Sequence, residues 1–218
     1  GADVVLYDRF TESREEIGAA LANEQDAELI APYDDERVIA GQGTIGLEIA
    51  QQLHSFQRKL DVFFCCCGGG GLMAGASLAL SKHFEDAELY TAEPEGFDDT
   101  ARSLESGTRQ TNNPSTKSIC DAIVTPTPGL LTFPIVQRKA AGGKVVTDEE
   151  ALSAMKTAWD YFKLTVEPGG AVALAAALKQ NFIEEQRTHK RKTVVAVLSG
   201  GNCDQDIFAR ALSAPALI

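Results

Sequence analysis

The stretch DVFFCCCGGGGLMAG, residues 61–75, sets an unbroken apolar run against four glycines and then against a run of helix formers. Apolar residues without alternation fit a parallel strand covered on both faces. The next segment, LMAGASLALSKHF (72–84), reads as a helix. The glycines therefore stand at the carboxyl end of a strand, where open α/β sheets hold their ligands. Without Cβ atoms, the backbone N–H groups of Gly68, Gly69, Gly70 and Gly71 can close on an anion, and a helix start adds favourable potential. A phosphate monoester suits such a turn. No Lys-Ser/Thr pair follows, so it is not a nucleoside triphosphate loop, and it does not read as the GxGxxG dinucleotide fingerprint. The plain alternative is tight strand-to-helix packing.

The thiols beside the glycines invite a metal or redox reading, and the spacing argues against it. Adjacent strand residues point to opposite faces, so Cys66 cannot join Cys65 and Cys67 on one metal. With Cys120 and Cys203 the total is five. An odd number with three adjacent is a poor disulfide framework. We read them as small buried residues of a central strand in a chain suited to the cytoplasm.

Outward from this centre, strand and helix patterns alternate. Strands are expected at DVVLY (3–7), AELIAPY (27–33), AELYTAEP (87–94), AIVT (122–125), GKVVT (143–147) and TVVAVLSG (193–200). Helices are expected from Glu12 to about Asn23, at 43–56 despite a glycine-rich entry, at 148–163 with an acidic first turn, at 170–180 and at 204–212. The polar stretch 105–118 is the best loop candidate. The order predicts an α/β fold: an open, mostly parallel sheet with helices on both faces. A domain change falls near Asp34–Asp35.

The chain has 218 residues, 44% apolar and 23% charged, with a formal net charge of −11. An acidic surface repels nucleic acid and anionic membranes, so neither is expected as a partner. No apolar run is long enough to span a bilayer. The opening GADVVLYDRF lacks the pattern of a signal peptide and looks like a strand entered mid-fold.

Three further turns carry candidate chemistry. Ser199-Gly200-Gly201-Asn202 follows the VVAVL strand and presents a hydroxyl at its tip. Glu167-Pro168-Gly169-Gly170 precedes the small-residue helix; Glu167 is either a functional carboxylate or an acidic residue favouring the helix dipole. In AEPEGFDDTARSL (92–104), Glu93 and Asp99 lie six residues apart across a turn. Two carboxylates with a backbone carbonyl and waters suit Mg²⁺, Mn²⁺ or Ca²⁺. The alternative is a solvated acidic turn in which Asp98 or Asp99 caps the following helix.

Together these segments resemble the serine/threonine dehydratases (threonine ammonia-lyases) and serine racemases, the fold type II enzymes that use pyridoxal 5′-phosphate (PLP) and share a tryptophan-synthase-β-like fold. The matching runs are VIAGQGTIGLEIAQQ (38–52), GGGGLMAG (68–75), AEPEGFDD (92–99), ICDAIVTPTPG (119–129), VEPGGAVALAAAL (166–178) and VLSGGN (197–202). The resemblance implies that Gly68, Gly69, Gly70, Gly71 and Leu72 bind the cofactor phosphate. It implies that Ser199, followed by Gly200, bonds the pyridine nitrogen, and that Glu167 lies near the ring. It implies a divalent-cation site at Glu93, Asp99 and the backbone carbonyl of Phe97. Arg14 and Glu15 match a stretch facing the substrate in the racemases, and Thr125 stands where some members have Ser.

One departure is large. The family's Schiff-base lysine lies in a Ser-Phe-Lys-type segment, followed by an Asn in a Ser-x-Gly-Asn-His-type loop, and neither occurs in these 218 residues. Lys82, in LSKHF, is the nearest imitation and reads as surface. We therefore expect a member whose N-terminal part is missing. About a hundred residues, of the order of a small domain, would precede the chain. Residues 1–35 would be the small-domain remnant and 36–218 the large domain, with no regulatory domain appended. The chain alone is expected to be inactive. The implied activity of the whole is deamination of L-threonine or L-serine to a 2-oxo acid and ammonia: a lysine removes the α-proton, charge spreads into the cofactor ring, and the β-hydroxyl leaves. Serine racemisation and hydroxyaspartate dehydration are the rival activities. A phosphate-binding α/β module is the non-enzymatic alternative. The implied partners are an amino-acid substrate and a second copy of the chain.

Overall fold

A computed structural model describes residues 1–8, 11–179 and 192–217. They fall into two compact units, Gly1–Pro32 and Tyr33–Ile218.

The first unit contains helix α1 (Arg14–Glu24), capped by Ser13, whose Oγ accepts from the Glu16 N–H at 3.2 Å. No residue of α1 is buried. The strands expected at 3–7 and 27–33 do not form, and both segments run as irregular chain. Val4 and Leu6 are 80% and 89% exposed. A β-rich composition makes a strand only where a ladder partner exists. Neither segment pairs with a strand among the described residues.

The second unit opens with α2 (Glu36–Ser55), whose cap residue Asp35 accepts from the Arg37 and Val38 N–H groups. Then follow β1 (Val62–Cys66), α3 (Gly71–His83), β2 (Glu88–Pro94), α4 (Asp99–Ser106) and α5 (Thr132–Lys139). The chain continues through β3 (Gly142–Val146), α6 (Asp148–Thr157), a π-helical turn (Ala158–Phe162), α7 (Pro168–Lys179), β4 (Val194–Ala196) and α8 (Gln205–Ser213). The four strands are parallel in the order β3-β2-β1-β4, with Phe64 level with Tyr90 and Ala196. Every residue of β1 is buried, which is why its sequence shows no alternation. Val62, Phe64 and Cys66 pack with Met155, Val172 and Ala211 of α6, α7 and α8. Phe63, Cys65 and Cys67 pack with Leu53, Leu80 and Val136 of α2, α3 and α5. Helices thus cover both faces of a parallel sheet, as expected.

Three local expectations are corrected. Residues 122–125 are not a strand. Asp121–Ile123 form a 3₁₀ turn, and the prolines at 126 and 128 remove ladder donors just beyond it. Helix α2 starts at Glu36 rather than Gly43, because Asp35 caps it and Gly43 and Gly46 serve packing. A Cβ on Gly46 would lie 2.7 Å from the Ala76 carbonyl oxygen of α3. Helix α5 was not anticipated; its Pro134 sits in the first turn, where proline costs no internal hydrogen bond. Gln180, the last residue of one expected helix, lies outside the described residues. No described helix is long and apolar enough to cross a membrane.

Candidate active site

The site is built at the carboxyl ends of the neighbouring strands β1 and β4. After β1 the chain turns through Gly68, Gly69 and Gly70 into α3. Gly70 is the N-cap residue, with φ +92°, a conformation glycine adopts without strain. Gly70 has no side chain to cap α3, and the first turn holds no acidic residue. The helix therefore offers its first N–H groups to an outside acceptor. Gly69 lies against the Tyr33 ring, and a Cβ there would fall 2.3 Å from ring carbons. Its carbonyl accepts from Thr132 Oγ1 at 2.6 Å and from the Gly129 N–H at 3.2 Å. The turn that supplies these donors is itself held by Asp34, whose carboxylate accepts from the N–H groups of Leu130, Leu131 and Thr132 at 2.8, 2.7 and 3.1 Å.

On the neighbouring strand end, Ser199 is exposed, and its Oγ lies 3.1 Å from the buried Cys66 Sγ. Glu167 leads into α7. Its N–H donates to the Gly200 carbonyl at 3.0 Å, and its Oε2 accepts from the Asn202 N–H at 3.1 Å. A Cβ on Gly200 would lie 2.4 Å from Glu167 Oε1, so glycine is what admits the carboxylate. Thr125 packs beside Gly68, and its buried Oγ1 has no hydrogen-bond partner among the described residues.

The acidic pair lies at the end of β2. Glu93 is fully buried, with Oε1 accepting from the Thr100 N–H at 2.9 Å and Oε2 from the Ala101 N–H at 2.8 Å, so it caps α4. Asp99 is buried; Oδ1 accepts from Asn112 Nδ2 at 2.5 Å, while among the described residues Oδ2 has no hydrogen-bond partner. Burial, with the charge of Asp99, pushes the Glu93 carboxyl up to about 8. Burial pushes Asp99 up to about 6. Phe97 lies in the turn between them, beside Gly96 at φ +80°. Among the described residues no three His, Cys, Asp or Glu side chains cluster as a metal site. A cation at Glu93 and Asp99 therefore needs a carbonyl and waters to complete its shell.

Residues 1–200 match the family model described as pyridoxal-phosphate-dependent enzymes. This chain belongs to that family. Serine racemase from Dictyostelium discoideum is 37% identical over 214 residues, which are 98% of this chain and 64% of that protein. L-threo-3-hydroxyaspartate ammonia-lyase from Pseudomonas sp. is 38% identical over 215 residues, 97% of this chain and 63% of that protein. Among solved structures, maize serine racemase aligns with a TM-score of 0.84 at 33% identity, covering 98% of this chain and 63% of that one. Threonine deaminase from T.th. aligns with a TM-score of 0.80 at 36% identity, covering 88% of this chain and 62% of that one. These matches set the chain among the fold type II serine/threonine dehydratases and serine racemases, of whose length it spans just under two thirds.

The residues present fit the family's cofactor. An uncapped helix start behind a glycine turn suits a phosphate, and the hydroxyl and carboxylate on the next strand end suit a polar heteroaromatic ring. Gly68–Leu72, Glu167, Ser199 and Gly200 are thus drawn to two adjacent strand ends, while Glu93, Phe97 and Asp99 form a separate cluster at β2. Arg14 and Glu15 lie in the first unit, exposed and paired with each other at 2.9 Å. Lys82 is exposed in the last turn of α3. The five cysteines are free, and burial pushes the Cys120 thiol up to about 12. Asp34 and Thr132 were not singled out from sequence as site residues, and Cys66 was read there only as a small buried residue. Their partners are 63 to 133 residues away, and no local pattern marks such contacts.

Proposed function

We propose that this chain is the cofactor-binding part of a PLP-dependent ammonia-lyase that converts L-threonine or L-serine to a 2-oxo acid and ammonia. The observation that carries the reading is the glycine turn at an uncapped helix start, one strand away from an exposed Ser199 hydroxyl. When bound, PLP supplies an electron sink for charge developing at the substrate α-carbon. Gly68, Gly69, Gly70, Gly71 and Leu72 bind its phosphate through backbone N–H groups. Ser199 donates to its ring nitrogen. Being neutral, the Ser199 hydroxyl would not hold that nitrogen protonated as a carboxylate would. Gly200 lets Glu167 approach the ring. Residues 1–35 belong to the small domain of the whole enzyme and 36–218 to its large domain, with a homodimer in the cytoplasm as the working form.

Glu93, Asp99 and the Phe97 carbonyl hold a divalent cation in the same reading. Supporting it are two buried carboxyls with raised proton affinity and an Asp99 Oδ2 without a hydrogen-bond partner among the described residues, all of which a cation would relieve.

Racemisation of serine and dehydration of hydroxyaspartate are the second reading, favoured by relatives of those names at 37% and 38% identity. The deciding assay incubates the whole PLP-loaded enzyme with L-serine, L-threonine and L-threo-3-hydroxyaspartate. Release of 2-oxo acid from serine or threonine without D-amino acid supports the ammonia-lyase. D-Serine without 2-oxo acid, or turnover of hydroxyaspartate alone, transfers the conclusion to the second reading. Bound cofactor with no turnover of any of the three overturns both.

A further inference from the structure

We propose that Cys66 is a positioning residue for Ser199. Its thiol donates to Ser199 Oγ, so that the serine's single O–H is left for the cofactor ring nitrogen. The inference rests on the role proposed above for Ser199 and goes further, since that role leaves open what aims the hydroxyl. Cys66 is the last residue of β1, buried, with its side chain in the apolar cluster on the α7 face. The β1–β4 pairing sets Phe64 level with Ala196 and extends through the Val197 N–H, which donates to the Phe64 carbonyl at 3.1 Å. Cys66 stands two residues beyond Phe64 and Ser199 two beyond Val197, and there the thiol meets the serine, Sγ to Oγ 3.1 Å. Cys65 and Cys67 face the opposite cluster, and Cys65 Sγ donates to the Cys66 carbonyl at 3.4 Å.

The chemistry gives this contact a direction. A serine hydroxyl has one hydrogen and two lone pairs, and a thiol is a weak donor and weak acceptor. Ser199 is exposed, and among the described residues Cys66 is the hydrogen-bond partner of its hydroxyl. If the serine donates to sulfur, it turns a lone pair toward the site, and an unprotonated pyridine nitrogen, itself only an acceptor, is repelled. If the thiol donates to the serine, the O–H points to the nitrogen and both polar hydrogens find acceptors. A bound ring therefore selects the second arrangement. The thiol is held for it by a strand that cannot shift without breaking the central ladder. An alanine at this position leaves the hydroxyl to rotate against water alone.

The test uses pyridoxamine 5′-phosphate labelled with nitrogen-15 in the ring, a probe that needs no lysine to bind. Its dissociation constant and the chemical shift of its bound ring nitrogen are measured with the wild-type chain and with C66A, C66V, C66S and S199A. We expect C66A and C66V to weaken binding roughly three- to tenfold, the range one hydrogen bond spans. The ring-nitrogen signal should move toward that of S199A, and C66S should restore both quantities. A thiol that only fills space would give a different result: C66V would keep the wild-type ring signal, and that outcome overturns the inference. If S199A leaves the signal unchanged while the probe binds, the role of Ser199 itself fails. If the wild-type chain does not bind the probe, the cofactor reading and this inference fall together.

Discussion

Gly69 and Gly70 exclude a side chain for different reasons. At Gly70 the backbone has φ +92°, and a Cβ would also sit 2.9 Å from Thr132 Oγ1. Gly70→Ala should cost about 1–2 kcal/mol from the left-handed conformation, before any effect on ligand binding. At Gly69 the backbone is permissive and the obstacle is the Tyr33 ring. Gly69→Ala should destabilise by about 1–3 kcal/mol through overpacking. The double variant with Tyr33→Ala should recover part of that loss, whereas Tyr33→Ala should rescue nothing in Gly70→Ala. Urea unfolding of wild type, the three single variants and the two double variants measures this, and equal rescue of both glycine variants would refute the distinction. Glu93 and Asp99 make a second residue-scale case. Their usual values of 4.5 and 3.8 rise to about 8 and about 6 in the fold. Across that window the folded protein holds protons that the unfolded chain has released. Stability is therefore highest below the unfolded values, falls as pH rises, and reaches its floor above the folded values. In chelator the unfolding free energy should drop between pH 5 and 8, on the order of a few kcal/mol. Glu93→Gln should flatten most of that slope. Added Mg²⁺ or Mn²⁺ should stabilise more at pH 8 than at pH 5, because ligation needs ionised carboxylates. A flat profile in chelator would remove the basis for the raised pair.

At the scale of elements, the pairing of α2 with α3 decides where the glycine turn is presented, because α3 begins at that turn. The two helices touch backbone to backbone. A Cβ on Gly75 would lie 2.3 Å from the Ile39 carbonyl oxygen and 2.6 Å from the Gly43 nitrogen. Neither neighbour can rotate away, so Gly75→Ala must part the helices and should cost about 3 kcal/mol or more. On the same α2, a Cβ on Gly41 meets nothing within 4 Å. Gly41→Ala should instead stabilise, by up to about 1 kcal/mol, through helix propensity. Opposite signs in urea unfolding are expected, and matching signs would show that the helix contact is looser than described. The same contact explains why α2 was only half legible in the sequence. Its Gly43 and Gly46 look like helix breakers to any reading of local propensity, and their use appears only once Gly75 and Ala76 lie opposite. Helix α6, by contrast, announces itself through Thr147 and Glu150, which form a capping box. Strand β1 was legible because burial on both faces strips out polar residues. The segments at 3–7 and 27–33 carry the same β-rich composition without a ladder to join, and composition alone cannot tell the two cases apart.

Over the whole molecule, the site was legible where turn chemistry is local and illegible where topology makes the contact. The glycine run, Glu167 before a helix and Ser199 after a strand are each marked by residues within a few positions. Asp34 reaching Leu130–Thr132, Thr132 reaching Gly69, and Cys66 reaching Ser199 depend on strand order and crossover, which no short window encodes. These long-range bonds all lie within the second unit, as do both apolar clusters. Among its described residues the first unit has a single helix, none of it buried, and Val4, Leu6 and Ile30 are largely exposed. Protection against hydrogen exchange follows local burial and hydrogen bonding, and ranges from near zero to the global unfolding free energy. In this 218-residue chain, amides of α1 should therefore exchange several orders of magnitude faster than those of β1 and α7. Adding pyridoxamine 5′-phosphate should slow exchange at 68–73 and 199–202 and leave α1 unchanged. Mass-resolved exchange on the intact chain reads all three regions at once. Equal protection of α1 and β1 would mean that the two units unfold as one, and the first unit would then have to be counted as part of the cooperative core.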